Sequence, residues 1–398
     1  MKKELNLLSR DFYPDNAAVA RIATDLAKQF AKHYIVNVYA GKPFYYSSAR
    51  AENLKNKNIR ITRVWCPDFS KDNLLLRAIT EAAFAANTLF KLLASKKKLN
   101  IVMSLPFSLQ AVALLMKKIK RQKYILVNHE VMPELMAATN VLSRKNIFYK
   151  ILHYVSKKII DNSEYTVSIG RAMTKLLKSK TKYPEKIKYI PSWADSIVKP
   201  VPRNKNSFLR QNHLTDKFIV SYSGNLGRYI DVETVLSAAK ELESKKDIVF
   251  LFIGGGKKKE LVLNYIKQNN SRNVMFFDYL PVSQINDSLN SGDISLVLMG
   301  KRTRGVVVPS KIYQCIAAGK PAIAVTEPGT EIERIIENLN SGLIVRPGDV
   351  NSFKNAVLKL RNNKQLLNKM AKNSLQPAKS FSVEKVAEHY LELVKESV

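Results

Sequence analysis

Short apolar runs bounded by Gly or Pro alternate along this chain with stretches in which apolar residues recur every three or four positions. The runs have the length of strands and the periodic stretches that of amphipathic helices, so their alternation predicts an α/β chain built on parallel sheets. In the first half the strand-like runs fall at 5–8, 34–40, 59–65, 100–105, 124–128, 165–169 and 187–190. In the second half they fall at 218–222, 248–253, 274–277, 294–299, 322–325 and 342–345. Helical spacing follows from Ala18 through Ile22, Leu26 and Phe30, and again over 73–93, 109–119, 145–158, 171–178, 232–242 and 383–394, with Asp231 and the Thr330/Glu333 pair as helix starts. A polar, basic, proline-containing stretch at 191–206 interrupts the rhythm and reads as a linker. Two doubly wound domains are therefore expected, 1–198 and 199–380, with a last helix in 381–398 that comes after the second sheet is complete and packs back across the first domain.

The most informative stretch is GVVVPSKIYQCIAAGKP, residues 305–321, lying between the runs at 294–299 and 322–325. Strand, loop, helix and strand make a βαβ unit. Pro309 and Ser310 suit the first turn of its helix, and Gly319 suits the left-handed residue just past its end. That helix start aims its amides, its dipole and the Lys311 ammonium at the carboxyl end of the sheet, where an anion is expected. Gln314, one turn on, shares a face with Lys311 and can hydrogen-bond hydroxyls carried by the anion. An ordinary surface helix with a capping serine and a solvated lysine has the same signature, and the surrounding motifs decide between the two.

Two glycine-containing turns favour the anion. SGNLGR at 223–228 brings Gly224, Asn225, Gly227 and Arg228 after one strand, and Gly254 opens a triple glycine after the next. With Lys311 they suit a diphosphate. Neither the G-x-G-x-x-G fingerprint nor the Walker signature is present, which disfavours nicotinamide dinucleotides and P-loop chemistry. In the first half, Asp15 and Asn16 precede a helix, and His129 and Glu130 follow the run 124–128; ligands in open α/β sheets bind off such strand ends, although both kinds of residue are common as structural groups.

Charge widens the field. The 65 basic and 33 acidic residues leave a net +32. Residues 1–198 carry 35 and 14, a net +21, against 30 and 19, a net +11, in 199–398. Nucleic acid, anionic lipid or an anionic small substrate would each account for the excess, as would a coding bias toward lysine. The helices at 73–93 and 109–119 end in basic clusters at 96–98 and 117–123, which fits either an anionic membrane surface or core helices with dipole-favoured cationic ends. No apolar run approaches a membrane span and the N-terminus lacks a signal core, so a cytosolic placement is expected, peripheral on the inner face of the membrane. Two cysteines without metal-ligand spacing argue against a disulfide framework and a zinc site.

FYPDNAAVARIATDLA at 12–27, HEVMPEL at 129–135, IPSWAD at 190–195, YSGNLGR at 222–228 and VPSKIYQCIAAGKP at 308–321, in this order, resemble the large retaining glycosyltransferase family 4 of GT-B architecture. The likeness is strongest to the bacterial fucosamine transferases of O-antigen and capsule assembly. It implies two Rossmann-like domains facing a cleft and transfer of a sugar from a nucleotide-diphosphate donor, UDP-linked, to a lipid-linked or saccharide acceptor. On the same likeness, Gly224, Asn225, Gly227, Arg228, Gly254, Pro309, Ser310 and Lys311 surround the donor diphosphate and Gln314 lies near its ribose. Asp15, Asn16 and Ala17 hold the acceptor together with the loop from His129 to Glu134, in which His129 and Glu130 are the catalytic candidates. The expected mechanism uses no cofactor and no metal: the departing phosphate helps deprotonate the incoming hydroxyl while cations hold its charge. Double displacement on a carboxylate is the alternative, and Glu130 is the one to nominate.

Two departures accompany the likeness. The family's glutamate pair falls on Val306 and Gln314, and the usual Arg and Lys of the first glycine turn fall on Asn225 and Ile230. A nucleic-acid-binding basic protein, a sugar-nucleotide epimerase of the same architecture and an inactive homologue are the competing classes. The first has no helix-turn-helix, finger or RNP pattern behind it, so nucleic acid is not expected as a partner.

Overall fold

The computed structural model describes residues 2–15, 18–43, 54, 56–67, 74–96 and 98–398. The chain divides into two compact units, Met1–Pro191 with Gly305–Val307 and Val383–Val398, and Ser192–Arg304 with Val308–Ser382.

Among the described residues the first unit holds seven strands, β1 (Glu4–Leu8), β2 (Ile35–Ala40), β3 (Ile59–Arg63), β4 (Leu99–Met103), β5 (Tyr124–Asn128), β6 (Tyr165–Ser168) and β7 (Ile187–Tyr189). They form one parallel sheet in the order β3-β2-β1-β4-β5-β6-β7. Its helices are α1 (Ala18–Phe30), α2 (Leu74–Ala94), α3 (Phe107–Lys120), α4 (Glu134–Ala138), α5 (Ile147–Asn162) and α6 (Arg171–Ser179). Strands β4 and β5 are buried throughout, as expected where helices cover both faces of a parallel sheet. Helix α3 ends on Arg121 in the left-handed conformation with Lys117, Lys118 and Lys120 in its last turn, where the dipole favours them. The C-terminal helix Val383–Ser397 belongs to this unit and packs on α1, with Gln29 donating to Glu384 at 3.5 Å.

The second unit repeats the plan with β8 (Phe218–Asn225), β9 (Ile248–Gly255), β10 (Val274–Phe277), β11 (Ile294–Leu298), β12 (Ala322–Val325) and β13 (Gly342–Val345), parallel in the order β10-β9-β8-β11-β12-β13. Its helices are α7 (Ser207–Gln211), α8 (Glu233–Glu241), α9 (Lys259–Asn269), α10 (Ile285–Leu289), α11 (Lys311–Ala317), α12 (Glu331–Leu339), α13 (Val350–Asn362) and α14 (Lys364–Leu375). Asp231 accepts from Thr234 N at 3.0 Å ahead of α8, and Thr330 accepts from Glu333 N at 3.4 Å ahead of α12. The Glu333 carboxylate returns to Gly329 N rather than to the cap residue itself.

Two boundaries differ from the reading of the sequence. The division falls after Pro191, not at 198/199, because 192–201 is strapped to the second unit: Asn286 and Asn290 hold the backbone at Ile197, Lys199 and Val201 with bonds of 2.9–3.1 Å. Trp193 is buried there, so this part of the proline-containing stretch is packed chain rather than free linker. Residues 305–307, which the periodicity places in the loop after β11, pair instead with the first unit: Val131 N donates to Val306 O at 2.8 Å, and Val307 bridges Glu130.

Candidate functional site

In both sheets the strand order reverses direction next to the first strand of the unit, between β1 and β4 and between β8 and β11. In such sheets the crevice at the carboxyl ends of those two strands is where a ligand fits. In the second unit the β8 end is the glycine turn, and α11 follows β11, so the fold itself carries Lys311 to Gly224.

The glycines there are required by contact. Strands β8 and β9 run on through their expected turns, pairing Gly224 with Gly254 and Asn225 with Gly255. Gly224 and Gly254 take φ of +143° and +148°, and a methyl group on Gly254 would overlap the Gly224 carbonyl. A methyl group on Gly224 would lie 2.7 Å from the Lys311 ammonium. That ammonium donates to Ser223 O and lies 4.4 Å from the centre of the Tyr222 ring. Tyr222 is buried, which pushes its phenol well above the ordinary range and keeps it a neutral donor, bonded to Asn225 O at 2.7 Å. Leu226 N to Gly255 O at 2.6 Å and Lys258 N to Leu226 O at 3.0 Å close the two glycine loops on each other.

Helix α11 is short. It buries Ile312, Tyr313, Cys315 and Ile316, with Tyr313 edge-on to Phe381 at 5.2 Å, and leaves Lys311 and Gln314 half-buried. Ser310 occupies the cap position at φ −63° without a side-chain capping bond, and Pro309 precedes it; Gly319 closes the helix at φ +63°. The Gln314 amide oxygen is buried without a hydrogen-bond partner, so it is an acceptor available to a hydroxyl. Arg228 is exposed. Gly227, by contrast, has no left-handed φ, and its added methyl group would meet only ordinary contacts near 3.6 Å, so a side chain fits there.

In the first unit, Asp15 is buried, and the Arg63 guanidinium whose charge it supports also donates to Gly41 O at 2.9 Å and to Tyr13 O. Asn16 and Ala17 lie outside the described residues, as do Asn73 at the head of the α2 pattern and Lys97 in its basic cluster. His129 and Glu130 stand at the end of β5. His129 N donates to Ser104 Oγ at 3.1 Å, while both ring nitrogens are buried without partners, and burial holds the imidazole down to about 4, hence neutral at pH 7. Burial pushes the half-buried Glu130 carboxyl up to about 7, partly offset by Arg77. Glu134, in the same expected loop, is taken up structurally: Lys180 Nζ reaches its Oε2 at 2.8 Å, Ser156 Oγ at 2.9 Å and Met132 O at 3.3 Å, and His153 Nδ1 lies 3.0 Å from its Oε1.

Two predictions arise from these groups. Lys180→Met leaves the buried Glu134 without its main counter-charge and should lower unfolding stability by about 3–5 kcal/mol in urea titration. Glu130 holds its proton more tightly folded than unfolded, so the stability it lends is complete below about 4.5 and is lost as pH rises through 7. Glu130→Gln should therefore match wild type at pH 4.5 and exceed it by about 2 kcal/mol at pH 8. His129 works with the opposite sign, costing stability as pH falls from about 6.5 to about 4, but it does so in both proteins and cancels from the comparison.

Sequence reasoning missed Tyr222 as the bed for Lys311, since nothing local links positions 89 apart, and missed Val306 as a pairing residue. At Val306, where the resemblance expects a carboxylate, a buried apolar side chain sits beside a backbone bond to Val131. Among the described residues no three His, Cys, Asp or Glu side chains are grouped to hold a metal ion, and no helix is long and apolar enough to cross a membrane.

Two parallel Rossmann-like sheets in one chain, each with its reversal point beside the first strand, define the GT-B class. The family model described as "Glycosyl transferases group 1" matches residues 204–376. The "Probable glycosyltransferase WbjE" of Pseudomonas aeruginosa is 31% identical over 286 residues, 71% of each chain. The "Putative colanic acid biosynthesis glycosyl transferase WcaI" of Escherichia coli (strain K12) is 26% identical over 181 residues, 45% of this chain and 44% of that one. Anabaena Alr3699/HepE, solved with UDP and glucose, superposes with a TM-score of 0.75 at 14% identity, covering 99% of this chain and 100% of that one. The chain belongs to the group 1 glycosyl transferases, and it is a glycosyltransferase.

Proposed function

We propose that this glycosyltransferase moves a sugar, with retention of configuration, from a UDP-type nucleotide-diphosphate donor to a lipid-linked saccharide at the inner face of the cell membrane, in the building of a bacterial surface polysaccharide. The observation that carries the reading is the Lys311 ammonium held against the glycine pair Gly224/Gly254 at the reversal point of the second sheet. Glycines at 224 and 254 let a ligand approach the backbone, and Lys311 answers its charge. HepE is a protein of this fold solved with UDP, which supports the donor class, and the name of WcaI supports the pathway class.

In this reading Lys311 and the exposed Arg228 neutralise the diphosphate as the bond to the sugar breaks. Gln314 offers its unpartnered oxygen to a ribose hydroxyl, a role an amide fills without the charge of the usual glutamate. His129, neutral and unbonded at its ring nitrogens, is a hydrogen-bond partner for a sugar hydroxyl. Glu130, with its proton exchanging near pH 7, suits proton transfer better than the permanently ionised nucleophile of a double displacement. The acceptor is read onto the first unit through the loop at Asp15, and no step calls on a metal or cofactor.

A thermal-shift series tests this. UDP and UDP-sugars should stabilise the chain, by about 2.7 kcal/mol at a hundredfold excess over Kd, and oligonucleotides should not. Stabilisation by oligonucleotide alone would overturn the reading in favour of a nucleic-acid binder. An isomerised sugar after incubation with donor and no acceptor would make the chain an epimerase instead.

A further inference from the structure

Helix α5 has two apolar faces, and the transfer chemistry uses neither. Tyr149, Ser156, Ile159 and Ile160 are buried against the first unit. On the opposite side Ile147, Phe148, Ile151 and Tyr154 are 62%, 66%, 51% and 62% exposed. Ile147, Ile151 and Tyr154 recur at i, i+4 and i+7, which stacks them on one stripe, and Phe148 lies at its edge. A helix that serves one core is apolar along one stripe only; a second stripe facing outward marks a surface that meets something else.

The charge around the stripe identifies what it meets. Residues 143–158 contain Arg144, Lys145, Lys150, Lys157 and Lys158 and no acidic residue. Lys158 Nζ lies 5.4 Å from the Tyr154 ring centre, so cation and aromatic already share the face. Neighbouring α3, in contact with α5, adds exposed Leu115 and Ile119. A second copy of the chain would set this positive rim against itself. Nucleic acid would answer the charge but offers no apolar bed for Ile147 and Ile151. An anionic bilayer offers an apolar layer beneath a negative one, in the arrangement the helix presents.

We propose that the outward face of α5 docks on an anionic lipid bilayer, with Ile147, Phe148, Ile151 and Tyr154 entering the boundary between headgroups and acyl chains and the lysines spreading onto the headgroups. The proposal deepens the membrane part of the reading above and rests on it for the location of the acceptor. It is measured without donor or acceptor, so the failure of either leaves the other standing.

The full chain is sedimented with vesicles of phosphatidylglycerol and phosphatidylcholine, and with phosphatidylcholine alone, at about 50 mM and about 500 mM salt. Wild type should bind the anionic vesicles and lose most of that binding at high salt. Phe148→Ser/Ile151→Ser and Lys150→Glu/Lys157→Glu should each bind at least tenfold more weakly, with unchanged thermal melts because all four side chains are exposed. Phe148→Trp, in a Trp65→Phe background, should shift its emission to the blue on anionic vesicles only. Equal binding to neutral vesicles, wild-type binding by both double variants, or an unshifted Phe148→Trp emission would overturn the proposal. So would loss in these variants of self-association or RNA binding, with no vesicle binding by wild type.

Discussion

Lys311→Ala should lower kcat/KM about a hundred- to a thousandfold and weaken UDP binding at least tenfold, while the chain stays folded. The ammonium sits at the end of β8, where it bonds Ser223 O over the Tyr222 ring. Removing a preorganised donor to developing charge costs about 3 kcal/mol at the transition state, which sets the expected loss in rate. Loss of the Ser223 bond and the aromatic contact should cost about 1–2 kcal/mol of stability, well short of unfolding. Lys311→Arg separates charge from shape, because a planar guanidinium cannot take the place of a compact ammonium against the β8 end. It should keep UDP binding within about tenfold and recover little of the turnover. Steady-state kinetics and titration calorimetry on the three proteins check both statements, and unaltered UDP affinity in Lys311→Ala would remove the donor site from this place.

Gly254→Ala should be the most damaging single methyl group in the second unit. The residue sits at φ +148°, and its new carbon would overlap the carbonyl of Gly224 in the paired strand, a backbone atom with no route of escape. Steric displacement of two strand ends on top of a strained φ costs about 3 kcal/mol or more, and it moves Gly224 away from Lys311. Urea unfolding should show the loss of stability, and UDP should no longer raise the melting temperature. Gly227→Ala is the matched control: with neither left-handed φ nor a tight contact, it should stay within about 0.5 kcal/mol of wild type. Equal behaviour of the two variants would show that the glycine pair is not what shapes the turn.

Much of this fold is legible in the chain because buried parallel strands are written as short apolar runs, and each of the thirteen strands among the described residues coincides with such a run. Gly319 at the end of α11, the Asp231 and Thr330 helix starts and the place of Lys311 follow from local rules of backbone geometry. What local rules could not reach depends on pairing between distant segments. The strand pairing of Gly224 with Gly254 turns two expected loops into one interlocked strand end. The bond from Val131 to Val306 takes residues 305–307 out of the loop that periodicity assigned them. The Lys180–Glu134 pair withdraws a carboxylate from the expected acceptor loop, and Asn286 and Asn290 turn expected linker into packed chain. The outward stripe of α5 was invisible for another reason: sequence periodicity reports that a residue is apolar, and only burial tells which face is left uncovered.

The central claim is that a diphosphate occupies the end of β8 beside Lys311. A crystal of the full chain soaked with UDP tests it most directly. The account predicts density for the diphosphate over Gly224, with its oxygens within hydrogen-bond distance of Lys311 Nζ. Density for UDP elsewhere on the chain, with Lys311 still bonded to Ser223 O, would contradict it.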